Sequence, residues 1–173
     1  PLRGRECSSQ QIPMIKKNFE SYSSFASANL YDIYGKGMLE NSIHKKVNTF
    51  AHHWFENKGN ENFEMHMLPI ESQFSSINDI AVVDYNEDGF PDLLVGGNLY
   101  DTEIETPRSD AGVGLLLQNT GNKDFESLPF HKTGLLAAKE IKAIVPIRLG
   151  KKGESGFIMV ANNDSLKIVK LNQ

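Results

Sequence analysis

The chain of 173 residues has a single cysteine, Cys7, a single tryptophan, and no long hydrophobic run. One cysteine cannot make an internal disulfide, and it excludes both Cys-based zinc sites and CxxC redox pairs. A lone thiol does not fix the compartment. The longest apolar runs, such as 80–83 and 112–117, fall far short of the roughly 20 residues a membrane helix needs, so no transmembrane segment is expected. Excess positive charge is also missing: 18 Lys and Arg stand against 22 Asp and Glu, a formal net charge of −4. Without a Lys/Arg block or interleaved basic and aromatic residues, neither nucleic acid nor anionic lipid is the expected partner. Hydrophobic residues at 39% and charged residues at 23% exclude wholesale disorder. The length suits one domain or a piece of a larger one. The chain opens at Pro1 with no Met, charged n-region or apolar h-region, from which a processed or excised piece is expected.

What the chain has in quantity is turn chemistry. Asn occurs 15 times, often beside Gly or Asp, as in Asn57-Lys58-Gly59-Asn60 and Asn119-Thr120-Gly121-Asn122. Such residues tolerate left-handed backbone and tight turns. Residues 1–46 read as a helical segment. Ile12, Ile15, Phe19, Tyr22 and Ala26 keep helical spacing, Leu39, Ile43 and Val47 repeat the i+4 step, and Gly35 and Gly37 read as stops. Pro13 suits the first turn of the opening helix. From 47 to 173 the pattern changes to short apolar runs: 49–56, 63–68, 77–83, 93–97, 113–117, 125–128, 141–148, 157–161 and 166–171. Turn signals separate nearly all of them, so antiparallel β structure is expected there, with helices confined to the first segment.

Two internal alignments organise this half. Residues 55–64 match 117–126 at an offset of 62, and 89–98 match 153–162 at an offset of 64. A Pro follows each Asn-x-Gly turn, at Pro69 and Pro129. A period of this size with four strands per unit suits β-propeller blades with long loops. The runs then supply the end of one blade, one complete blade and most of a third. A closed propeller needs about four blades or more, so the expected fold is mainly β: a partial β-propeller of antiparallel four-stranded blades with a short N-terminal α-helical insertion. The remaining blades of the parent propeller are the first expected partner.

One motif carries specific chemistry. Asp84-Tyr85-Asn86-Glu87-Asp88-Gly89-Phe90-Pro91-Asp92 places oxygen-bearing side chains at loop positions 1, 3, 5 and 9, with Gly at 6 for the sharp turn. The Phe90 carbonyl at position 7 would face the same centre. An all-oxygen set of this size favours Ca²⁺ over Mg²⁺. An EF-hand would supply a Glu at position 12, but Val95 stands there, and both flanks are β-like. The expected metal ligands are therefore Asp84, Asn86, Asp88, Phe90 and Asp92, on a β-hairpin. The plainer alternative is an ordinary Asx-rich turn, in which clustered carboxylates would repel one another without a cation.

With its flanking Asn-x-Gly hairpins, the stretch 84–98 resembles an FG-GAP/VCBS repeat, the calcium-loop blade of integrin α-subunit propellers and of many secreted bacterial proteins. More closely, the chain is similar to the C-terminal part of bacterial proteins related to cartilage acidic protein. Two features carry that likeness, the helical insertion at 3–19 and 22–35 and the Arg108-Ser109-Asp110-Ala111-Gly112 element. The resemblance implies a propeller, bound calcium and an extracytoplasmic location, secreted or at the cell surface, and a segment that binds protein or glycan is the leading expectation. It implies no settled catalysis, and no enzymatic activity is expected. The alternative is the propeller portion of a carbohydrate-processing extracellular enzyme.

At the offset of 64, Asp84, Asn86, Asp88 and Asp92 become Arg148, Gly150, Lys152 and Gly156. That third-unit loop cannot hold calcium. Arg148 or Lys152 could place a positive charge where an ion would sit; a solvated turn is the plainer reading. His52 and His53 point to opposite faces if they lie in a strand, and His44, His66 and His131 lack metal spacing, so packing or surface roles are expected. Ser8 and Ser9 have no nucleophile context. Cys7 lies near Arg3 and Arg5, which would lower a thiol pKa, though a structural thiol fits equally. The segment 98–110 holds Asp101, Glu103, Glu105, Arg108 and Asp110, readable as a second cation site or as a solvated loop with a local Arg108–carboxylate pair. No acid/base pair for glycoside hydrolysis can be read from it.

Overall fold

The structure, a computed structural model, describes residues 3–104, 106–151 and 153–171. The chain divides between Asn48 and Thr49 into two compact units.

The first unit is five short helices: α1 (Arg5–Gln11), α2 (Met14–Asn18), α3 (Tyr22–Ser27), α4 (Leu30–Tyr34) and α5 (Lys36–Glu40). Ile15, Phe25 and Ile33 form its core, with Ile12, Phe19 and Tyr34 packed against them. The single stripe expected from Ile12 to Ala26 is instead broken into three helices, and Tyr22 and Ala26 are exposed. Pro13 sits at the N-cap of α2 rather than in the first turn of α1, because it has no amide hydrogen to continue the preceding helix. Ser21 caps α3 by accepting the Ser24 amide at 3.0 Å, and Asn29 with Asp32 forms a capping box on α4. Each cap starts a new helix and resets the periodicity. Ile43 and Val47, expected to continue a helical face, are exposed and lie outside the helices. Buried Arg5 ties the unit together, donating to the Phe19 carbonyl at 2.6 Å and the Glu20 carbonyl at 3.2 Å.

The second unit is antiparallel β. Strands β1 (His53–Gly59) and β2 (Asn62–Met67) form a two-stranded sheet. Strands β3 (Ile77–Val83), β4 (Asp92–Gly97), β5 (Leu115–Asn119) and β6 (Phe125–Leu128) form a four-stranded meander. Strands β7 (Ile141–Leu149), β8 (Glu154–Ala161) and β9 (Lys167–Val169) form a three-stranded one. All three sheets are open. Helices are not confined to the first unit, contrary to expectation: a 3-10 turn, Ile70–Gln73, follows Pro69, and α6, Phe130–Thr133, follows Pro129. Each Pro stands at an N-cap, where its missing amide costs nothing. The first strand begins at His53 rather than 49; at His52 the Gln73 side chain accepts from the amide at 2.6 Å, and the carbonyl accepts from both Gln73 at 3.1 Å and the Leu68 amide at 3.0 Å.

Pairing registers coincide across the sheets. Asn57 opposes Phe63 and Asn119 opposes Phe125, the same pair 62 residues apart. In β3–β4, Val83 opposes Asp92, Ile80 opposes Val95, and a bulge lies between Ile77 and Asp79. In β7–β8, Ile147 opposes Gly156, Ile144 opposes Met159, and a bulge lies between Ile141 and Ala143. Every pair of β3–β4 recurs at an offset of 64, bulge included. Because side chains alternate faces, a slip of one residue would invert each strand, so this agreement fixes equivalent faces.

Those faces form three layers. One face of the four-stranded sheet, with Val95 and Leu117, packs on Trp54 and Leu68 of the β1–β2 hairpin region. Its other face, with Ala81, Leu94 and Leu116, packs on Ile144, Phe157 and Met159 of the three-stranded sheet. The bulge residues also join β3 to β7: Asn78 donates to the Ile141 carbonyl at 2.9 Å, and Asp79 accepts the Ile144 amide at 2.6 Å.

Candidate metal centre

The acidic loop joins β3 to β4 and begins where their ladder ends, at the Val83–Asp92 pair. Gly89 takes φ +86°, a backbone that suits glycine. The loop wraps its oxygens onto its own amides. Asp84 accepts the Asp88 amide at 3.1 Å through Oδ1 and the Gly89 amide at 3.0 Å through Oδ2. Asn86 Oδ1 accepts the same Asp88 amide at 3.3 Å, and its Nδ2 donates to Asp88 Oδ2 at 2.6 Å. Asp88 Oδ1 accepts the Phe90 amide at 2.8 Å.

Asp92 differs. It is fully buried, and its two oxygens accept the Tyr85 amide at 2.8 Å and the Asn119 amide at 2.7 Å. It thereby ties the loop to both neighbouring strands. The structure thus gathers Asp84, Asn86 and Asp88 at the exposed tip and turns Asp92 inward. The donor chemistry fits a hard cation, being carboxylate and amide oxygen throughout, and each oxygen engaged by one amide keeps a second lone pair.

The equivalent tip between β7 and β8 closes differently. Arg148 donates through Nη1 to the Gly153 carbonyl at 3.4 Å and to Ser155 Oγ at 3.1 Å. Its side chain reaches across the turn it begins. Lys152 lies outside the described residues, so its expected role has no structural counterpart. Gly156 occupies the position of Asp92, and a Cβ there would lie 2.3 Å from Leu149 Cδ1. Leu149 fills the space that a carboxylate would need. A cavity of about 330 Å³ separates the two tips, lined by Asp84, Glu87, Arg148, Glu154 and Lys170 among others, with Lys170 paired to Glu154 at 2.9 Å.

A second cluster escaped the sequence reading. Glu56, Glu64 and His66 bring one ligand atom each within 4.8 Å of one another, as no other such trio does among the described residues. Lysines already hold it: Lys58 Nζ lies 2.9 Å from both Glu56 Oε2 and Glu64 Oε2, and Lys123 Nζ lies 2.9 Å from Glu56 Oε1. Lys123 and then Lys58 hold the Glu56 carboxyl down to about 2, and Glu64 raises the Lys58 ammonium above its ordinary range. His66 stacks on Trp54 at 4.4 Å, a packing role. The signal that could have found this group is the hairpin register, since Glu56 opposes Glu64 and Trp54 opposes His66 on one face.

The remaining candidates are placed apart. His52 and His53 have separate partners, the Ser72 and Ala51 carbonyls, each at 2.8 Å. Arg108 pairs with Asp110 at 2.9 Å and lies over the Tyr100 ring, an exposed local pair. Asp101 accepts from Asn162 at 3.3 Å, and Glu105 lies outside the described residues. Buried Asn98, also missed, closes that long loop by exchanging two 2.8 Å bonds with the Gly112 backbone. Cys7 is half-buried and free. Among the described residues no helix is long and apolar enough to cross a membrane.

A scan against protein-family models and searches of curated proteins and solved structures found no match to this chain.

Proposed function

We propose that this chain is a non-catalytic, calcium-clamped segment of a larger β-propeller of the FG-GAP/VCBS type, working outside the cytoplasm, secreted or at the cell surface, as a protein- or glycan-binding module. The observation that carries the reading is that every pair of β3–β4, bulge included, recurs in β7–β8 at an offset of 64. Two sheets built to one register, packed face on face, are what successive blades require. The two-stranded sheet is then the outer half of a preceding blade, and the three-stranded sheet gives the first three strands of a following one among the described residues. The remaining blades of the propeller are the partners this arrangement calls for.

Asp84, Asn86 and Asp88, with the Phe90 carbonyl and Asp92, are the residues that would hold the ion. Bound there, calcium would neutralise the tip carboxylates and fasten the end of the β3–β4 ladder. Extracellular modules of this chemistry bind at about 10⁻⁴–10⁻³ M, an affinity that matters only where calcium is abundant. Calcium at tenfold above Kd would stabilise the unit by ~1.4 kcal/mol. Thermal melting in calcium and in chelator tests this: a rise of about 3–6 °C with calcium is expected for a chain of this size, and Asp88→Ala should remove it. Identical melting in calcium and chelator would leave only an Asx-rich turn.

A further inference from the structure

The three sheets are unequal, and their equivalent positions report what each lacks. Ile80 of β3 and Ile144 of β7 occupy the same register position, 64 residues apart. Ile144 is 5% exposed and Ile80 is 46% exposed. The difference follows from the preceding layer. Ile144 faces a four-stranded sheet, whose β3 lies against β7 through Asn78 and Asp79. Ile80 follows a sheet of only two strands. The same comparison applies to β1. At an offset of 62, His53, Trp54 and Phe55 stand where Leu115, Leu116 and Leu117 stand in β5. Those three leucines pair with Val95, Leu94 and Leu93 of β4. Among the described residues β1 has β2 on one side and no strand on the other.

We infer that the free edge of β1 at His53–Phe55 is an acceptor for a β-hairpin of the β3–β4 kind, whose inner strand adds to β1 and whose outer strand covers Ile80. The inference rests on the blade reading and names the partner of that incomplete sheet. Its chemistry is set by β4: an antiparallel strand apolar on both faces, since it lies between layers, joined by a loop to a second apolar strand. An unpaired edge offers the main-chain donors and acceptors for such an addition. The exposed Ile80 and Val82 supply apolar surface beside it. A second copy of this chain cannot supply the piece intact, because its own β4 is paired on both sides.

The probe is a peptide of residues 77–97, the chain's own β3–β4 hairpin, backbone-cyclised through a Gly-Gly linker, with calcium present. Cyclisation holds the register because Ile77 and Gly97 are cross-strand partners. The readouts are Trp54 fluorescence and amide hydrogen exchange in the full chain. Expected are saturable 1:1 binding and exchange at residues 53–55 slowed by at least about tenfold. Ile80→Glu should weaken binding by about tenfold, as a charge facing an apolar strand does. Ile168→Glu, on the far sheet, should leave it unchanged, and a cyclic peptide carrying Leu94→Pro should not bind. No protection at 53–55 would overturn the inference, as would equal weakening by Ile80→Glu and Ile168→Glu. So would self-association of the chain that blocks the peptide and is abolished by Ile168→Glu. The calcium response of the melting temperature reads the blade assignment separately, so its persistence beside a failed peptide would reject the acceptor edge alone.

Discussion

In two hairpins of one molecule, every backbone pair of β3–β4 recurs in β7–β8 with the same bulge, but β7–β8 runs two pairs further, through Arg148–Ser155 and Leu149–Glu154, and the tips end in opposite chemistry. One tip folds Asp84, Asn86 and Asp88 onto its own amides and buries Asp92 between strands. The other has Arg148 spanning the turn to Gly153 and Leu149 filling the place of the carboxylate. The register is therefore set by apolar alternation and the bulge, not by the tip. Tips are free to differ because they pack against little, whereas a one-residue slip in the strands would turn a buried face outward.

Leu116 is fully buried between sheets, and its equivalent Ile168 is 62% exposed on the outer face of the last one. Leu116→Ala should cost about 2–5 kcal/mol by leaving a cavity, and Ile168→Ala about 0.5 kcal/mol or less, both read by urea unfolding. Equal losses would mean that the two positions are packed alike and that the layers do not differ there. Next comes Asp92→Ala, which strands the Tyr85 and Asn119 amides and should cost about 3 kcal/mol even in chelator, because hydrogen bonds to a buried charge are involved. A loss seen only in calcium would mean that the bonds to the Tyr85 and Asn119 amides carry no stability of their own.

The strands were legible because alternation and turn residues are local signals. All nine appear in the sequence pattern, with 77–83 and 125–128 at the bounds observed. The helical unit was less so. Ser21 and Asn29 are N-caps that interrupt a run of apolar spacing, and spacing alone does not show a cap. The short helices after Pro69 and Pro129 were hidden by length, since four residues carry no period. In the loop, residue types and spacing were visible, but the inward turn of Asp92 depends on Asn119, 27 residues away. The Glu56–Glu64–His66 group needs the hairpin register before it exists at all.

The paired Asn-x-Gly turns allow a finer test. Gly59 and Gly121 have nearly the same φ, +79° and +77°, but a Cβ at Gly121 would meet the Phe90 ring at 3.0 Å while that at Gly59 meets nothing within 4 Å. Gly59→Ala should cost about 1 kcal/mol from backbone strain alone, and Gly121→Ala more, with a shift in the Phe90 ring resonances. Equal costs would detach Phe90 from the turn. The smallest effect concerns Glu56. Its carboxyl is held down to about 2, chiefly by Lys123 and then Lys58. A depressed carboxyl contributes stability above its ordinary pKa and loses it as pH falls toward the folded value. The contribution should therefore fade between about pH 4.5 and 2. Carbon NMR of the Glu56 carboxyl should show a midpoint near 2, moving up in Lys123→Met. An unchanged midpoint would mean that lysine does not hold it.

Amide NMR during a calcium titration reads the proposed calcium tip and its equivalent at once. Shifts that saturate with Kd of about 10⁻⁴–10⁻³ M are expected across 84–92, with 148–156 unmoved. No movement at 84–92 up to about 10 mM calcium, well above that affinity range, or equal movement at both tips, would contradict the account.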